Sequence, residues 1–259
     1  VLQAIAGDDP RDSTCLPAEV PDYARSLDKG IAGMRIGLPR EFFADQSLDP
    51  GVRSKVEKAI GLLENQGAEL VEISLPSTEY AVAVYYILAP AEASSNLSRY
   101  DGVRYGKRID NGDGIVPMYR ETRAEGFGPE VKRRIILGTY VLSSGYSGKY
   151  YLKAQKARTL IQKEYQEAFK DVDVIMGPVS PTPARKIGEH SDSPLEDYLA
   201  DVYTISANLA GVCGLSVPCG TVDFEGSVLP VGLQILGPHL AEPQILRAGR
   251  AWEKIRDSS

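Results

Sequence analysis

Cysteine and histidine are both scarce in this sequence, and each scarcity closes off a chemistry. Three cysteines, Cys15, Cys213 and Cys219, show no CxxC spacing and build no disulfide framework. A reducing, cytosolic setting is therefore the expectation. The two histidines, His190 and His239, lie in polar stretches bounded by Gly and Pro, with no ligand-spaced Cys or His beside them. A Ser-His-Asp triad is not expected, nor is a bound metal.

Basic excess is lacking as well. Lys and Arg number 29 against 35 Asp and Glu, a formal net charge of −6. Phosphate backbones need clustered cations, so any RNA involved is expected to be held by another chain. No run reaches the roughly 18–20 apolar residues of a membrane span, and no basic region followed by an apolar core marks a signal peptide. The first residues, VLQAIAGDDPRDST, carry no initiator Met and read as the last turns of a helix closed by Gly7. The sequence is expected to begin within a domain.

Familiar catalytic motifs are missing too. There is no GxSxG elbow, no P-loop, no HExxH and no GxGxxG after a strand. One SxxK occurs, Ser26-Leu27-Asp28-Lys29, but in a charged segment that reads as solvated surface. The Ser/Gly run 142–148, LSSGYSG, reads as a helix end and a restart. No convincing nucleophile is visible.

What is present is an α/β pattern. A strand over 34–38 precedes a helix that starts at Asp49-Pro50 and carries an apolar stripe to Leu63. Residues 68–76 alternate as a strand, completing a βαβ unit. Helices are expected over 79–97, 129–145, 148–170, 195–211 and 241–255, and a loop near DNGDG. A buried strand begins at VDVIMG and runs into a Pro-rich loop, and two further strands, 214–222 and 229–237, flank a loop containing Gly226. No repeat or linker divides the chain.

Binding groups are better represented than nucleophiles. Arg133 and Arg134 are consecutive on the helix from Pro129, so one faces inward if Ile135 or Ile136 does. An inward Arg needs an anion, and its planar fork suits a carboxylate; Glu92 and Asp101 are the internal candidates. Asp201 sits among apolar positions that suggest a largely buried face, where a carboxylate must be paired. A bound ammonium or a neighbouring Arg would serve. Together, such an Arg and such an Asp could grip the two ends of an amino-acid zwitterion.

Residues 91–106, AEASSNLSRYDGVRYG, crowd Glu92, Asn96, Arg99, Asp101 and Arg104 around little apolar material. That segment, EGFGPEVKRRIILGTYVLSSGYSGKYY, DVIMGPVSPTPA, NLAGVCGLSVPCG and LPVGLQILG follow one another in order. This series resembles, end to end, the C-terminal half of the A subunits of glutamyl-tRNA(Gln)/aspartyl-tRNA(Asn) amidotransferases, within the amidase signature family. The resemblance implies an α/β fold with a mixed sheet covered by helices on both faces. Residues 1–259 would be the C-terminal portion of a single amidase domain. The family's Ser nucleophile, second Ser and Lys base would lie before residue 1, leaving no catalytic group here.

The same likeness implies glutamine hydrolysis, with ammonia passing to a B subunit that uses ATP and Mg to amidate Glu on tRNA(Gln). A small C subunit would brace the pair, and tRNA would be met only through the B subunit. By that resemblance Arg134 would hold the α-carboxylate of glutamine, Asp201 its α-amino group, and Tyr85 would line the pocket. Arg133 and Tyr86 are the competing positions. Residues 91–106 would order the pocket wall and face a partner or the ammonia route; the plainer reading is a solvated loop with internal salt bridges. Another amidase-signature hydrolase, or a noncatalytic packing fragment, are the rival readings.

Overall fold

A computed structural model describes residues 1–44, 47–187 and 199–258. In chain order its helices are α1 (Leu2–Ile5), α2 (Arg40–Ala44), α3 (Pro50–Glu64), α4 (Ala81–Leu97), α5 (Ile115–Gly126) and α6 (Pro129–Leu142). They continue with α7 (Tyr151–Asp171), α8 (Val202–Ala210) and α9 (Glu242–Arg256). The strands are β1 (Arg35–Pro39), β2 (Glu69–Ile73), β3 (Val174–Pro178), β4 (Cys213–Phe224) and β5 (Ser227–Gly237). They fall into two units, one of residues 1–79 with 161–259 and one of residues 80–160.

The first unit holds the sheet, in the order β2-β1-β3-β5-β4. Its βαβ start is as the sequence predicts. The Asp49 carboxylate accepts from Val52 N at 3.0 Å, and Pro50 takes a first-turn position where no N–H is needed. Val52, Val56, Ala59, Ile60 and Leu63 then bury one face of α3. β1 pairs in parallel with both β2 and β3. The Asp173 carboxylate fastens the two strand starts by accepting from Arg35 N at 2.8 Å and Arg35 Nη2 at 3.1 Å.

β3 is buried at every position, which is what a strand covered on both faces shows. β5 runs antiparallel to β3 and to β4, so the sheet is mixed. Between β4 and β5 the chain reverses at Glu225-Gly226, with φ of +50° and +77°, the sense that matches strand twist in a two-residue hairpin. α9 packs on these strands through Ile245, Ala248, Ala251 and Trp252, and Trp252 Nε1 donates to Pro218 O at 2.8 Å. Tyr165 of α7 and Ser206 of α8 share a hydroxyl–hydroxyl hydrogen bond of 2.8 Å in the interior.

The second unit is helical. α4 contains Pro90, and α6 presents Gly138 to it. A Cβ at position 138 would stand 1.9 Å from Pro90 O, so the backbones meet where only glycine fits. α5 is not anticipated by the sequence reading: only Met118 and Thr122, one turn apart, are buried, too short a stripe to see. Expected ends move by a few residues elsewhere. α6 stops at Leu142 and α7 starts at Tyr151, with residues 143–150 between them as bend and turn.

Two expectations at chain level need correction. VLQAIA forms a single turn whose last residue is capped by Ala6 in an extended conformation, not by Gly7. The helix expected over 195–211 is described from Val202 to its left-handed cap at Gly211, φ +73°. Residues 195–198, and His190, lie outside the described residues.

Candidate substrate-binding site

Helix α6 sorts its two arginines by periodicity. Arg134 shares a face with Gly138 and Val141, both buried, so its side chain is 33% exposed against 56% for Arg133. Arg134 Nη1 donates to the Tyr85 hydroxyl at 3.1 Å, and Arg134 Nε donates to Glu130 Oε1 at 3.0 Å. Glu130 Oε2 takes Arg133 Nη1 at 2.7 Å, so one carboxylate steadies both arginines. Glu130, and after it Tyr85, holds the Arg134 guanidinium charged above its ordinary value. Nη2 of Arg134 makes no hydrogen bond among the described residues and leaves the far edge of the fork open.

The carboxylate beside the arginines is Glu130, rather than either of the internal candidates Glu92 and Asp101. The reason is local: Glu130 lies three and four residues before them, one turn along the same helix. Tyr86 stands edge-on to Tyr85, ring centroids 5.0 Å apart, and braces the ring that meets Arg134.

Asp101 has its own partners. It is buried, accepts from Arg104 N and Val103 N at 2.9 Å each, and pairs with Arg104 Nη2 at 2.9 Å. The Arg104 amide and then the Val103 amide hold its carboxyl down to about 2. Arg123 Nη1 donates to the carbonyls of Leu97 and Tyr100 at 3.0 Å each, closing the loop from outside. Segment 91–106 thus ends α4 and continues as an internally bonded loop. Arg99 stays exposed and without a partner among the described residues.

Asp201 departs from expectation in its burial. It is exposed and caps the start of α8, whose buried stripe begins only at Tyr203. Its main-chain O accepts from Thr204 N and Ile205 N at 3.0 Å, while its carboxylate meets no partner among the described residues. Position before the first turn, rather than on the helix face, explains the exposure. Asp201 belongs to the sheet-bearing unit, whereas Arg134 and Tyr85 belong to residues 80–160.

Other candidates do not assemble. Ser26 Oγ donates to Pro243 O at 3.4 Å and Lys29 is exposed, so the SxxK residues form no Ser–Lys pair. His239 Nδ1 meets only Gly211 O, at 3.2 Å. Among the described residues no group of His, Cys, Asp and Glu is placed to hold a metal ion, and no helix is long and apolar enough to cross a membrane.

Residues 1–246 match the Amidase family, and the chain belongs to that family. It is 54% identical over 257 residues to the A subunit of the glutamyl-tRNA(Gln) amidotransferase of Desulfatibacillum aliphaticivorans, covering 99% of this chain and 52% of that one. It is 55% identical over 254 residues to the corresponding A subunit from Geobacter sp. (strain M21), covering 98% and 52%. The crystal structure of the A subunit from the Thermotoga maritima glutamyl-tRNA(Gln) amidotransferase superposes with a TM-score of 0.72 at 37% identity, covering 96% of this chain and 48% of that one. The chain spans about half the length of the relatives it matches.

Proposed function

We propose that this chain is the C-terminal half of the A subunit of a tRNA-dependent amidotransferase and carries the glutamine-gripping part of its glutaminase site. The observation that carries the reading is Arg134, fixed between Glu130 and Tyr85 with one guanidinium edge open. A planar, permanently charged fork so held suits the α-carboxylate of an amino acid. The family resemblance assigns the α-ammonium to Asp201, which is exposed and unpartnered among the described residues. Tyr85 lines the pocket between substrate and scaffold.

The chemistry that follows needs groups outside this chain. The Ser nucleophile, its partner Ser and the Lys base are assigned to the part of the relatives' length that this chain does not match. There they would cleave the side-chain amide to glutamate and ammonia. The residues named here bind and orient glutamine, converting a bimolecular encounter into a positioned one. Ammonia would then pass to a B subunit that spends ATP with Mg on the tRNA-bound acyl group, with a C subunit bracing the complex. That assembly reads tRNA through the B subunit and works in the cytoplasm.

Ammonia release from glutamine tests this, using the 259-residue chain alone and mixed with the separately produced preceding half of a relative's A subunit. The expected result is silence alone and release on mixing. Hydrolysis by the chain alone would overturn the placement of the nucleophile.

A further inference from the structure

The face of α5 and α6 that turns away from Glu130 combines cations with an apolar floor. Arg120 and Arg123 of α5 stand three residues apart and Lys132 and Ile136 of α6 four apart, about one turn in each case, so both helices contribute a wall. Phe127 and Ile135 form the floor of a groove of about 460 Å³. Ile136 is 70% exposed on its rim.

None of the three cations in this groove meets a carboxylate among the described residues. Arg120 has no hydrogen bond or ion pair there. Arg123 lies over the Phe127 ring at 5.0 Å and otherwise donates to the carbonyls of Leu97 and Tyr100. Lys132 Nζ donates to Ala124 O at 3.0 Å. The nearby acids are engaged elsewhere: Glu121 with Asn111, Glu125 with Lys107, and Glu130 with Arg133 and Arg134. Three uncompensated positive charges thus ring an exposed apolar patch in a chain whose formal net charge is −6.

We infer that this groove docks an acidic amphipathic peptide segment of a partner protein, its apolar side chain on Phe127 and Ile135 and its carboxylates on Arg120, Arg123 and Lys132. The charge pattern selects the occupant. A nucleic acid tracks a broad basic face and has no use for an aliphatic rim, whereas a peptide helix with carboxylates beside an apolar stripe satisfies both features. A groove lined on both sides by helical spacing suits an inserted helix. The inference is independent of the glutamine reading, because it uses the opposite face of α6.

The test is fluorescence anisotropy of the 259-residue chain with a fluorescein-labelled amphipathic peptide of Leu and Glu. Comparison arms carry the same peptide with every Glu replaced by Lys, a single-stranded RNA oligonucleotide, and phosphatidylcholine–phosphatidylglycerol vesicles. The acidic peptide is expected to bind, and more weakly as salt rises. Arg120→Glu is expected to weaken it roughly tenfold, and Ile136→Ser comparably. Both positions are exposed, so neither variant removes a core contact. Failure of the acidic peptide to bind, binding indifferent to both substitutions, or preference for the RNA or the vesicles would overturn the inference.

Discussion

Tyr85 accepts a hydrogen bond of 3.1 Å from Arg134 across two helices that are far apart in sequence. Because α4 and α6 touch through Pro90 and Gly138, that contact is set by backbone packing rather than by a flexible loop. Fixing one edge of a guanidinium on protein partners leaves the other edge in a defined direction. The binding account rests on this arrangement.

Glu130 is expected to act as a positioning residue for Arg134. In a full-length A subunit carrying this segment, Glu130→Ala raises the KM for glutamine while Glu130→Gln, which keeps an acceptor for Nε, recovers part of it. Tyr85→Phe also raises KM, by several-fold, since one contact to a charged group is typically about 1.5–3 kcal/mol and only its orienting share is lost. Steady-state kinetics of ammonia release read all three. A fall in kcat with unchanged KM would place these residues outside substrate binding.

Gly138→Ala should destabilise residues 80–160 by about 2 kcal/mol or more, because a buried methyl forced against backbone cannot be relieved by a rotamer change. Thermal melting followed by circular dichroism measures it. A variant that melts with the parent would mean that α4 and α6 do not meet so closely.

The Tyr165–Ser206 pair gives a second stability test, within the sheet-bearing unit. Burial pushes the Tyr165 hydroxyl above its ordinary pKa, so it stays a neutral donor or acceptor. Tyr165→Phe leaves the Ser206 hydroxyl buried and unpaired, at a cost of about 1–3 kcal/mol. Adding Ser206→Ala is expected to recover part of the loss, the signature of a direct pair. Trp252, the single tryptophan, is 3% exposed and reports unfolding by fluorescence.

Much of this architecture can be read from residue order, where local chemistry and packing agree. Asp49-Pro50 predicts the start of α3, the alternation of residues 68–76 predicts β2, and Gly211 predicts the end of α8. Residue order leaves Arg133 and Arg134 as alternatives, and Tyr85 enters only through the family resemblance; the Arg134–Tyr85 contact itself depends on the α4–α6 crossing. α5 escapes because two buried residues make no stripe, and Glu130 because a surface i,i+4 pair looks the same whether or not it steadies a binding group. Asp201 misleads because its apolar neighbours start a helix that turns their faces away from it.

Asp101 supplies a prediction in pH. Its folded pKa, about 2, lies below the ordinary carboxylate value, so the stability it confers is present above the unfolded pKa near 4 and is lost as pH falls through about 2. Carboxyl chemical shifts followed by NMR should show Asp101 titrating last among the aspartates of its loop. Asp101→Asn should speed amide exchange at Val103 and Arg104 at neutral pH. Titration of Asp101 near pH 4 would contradict the paired geometry.

The most direct measurement is the glutamine dependence of ammonia release by the full-length A subunit with Arg134→Ala and, separately, Arg133→Ala. The account predicts that losing Arg134 raises KM by roughly tenfold to a hundredfold, while losing the exposed Arg133 changes it about twofold or less. Equal effects, or a larger one at Arg133, would contradict it.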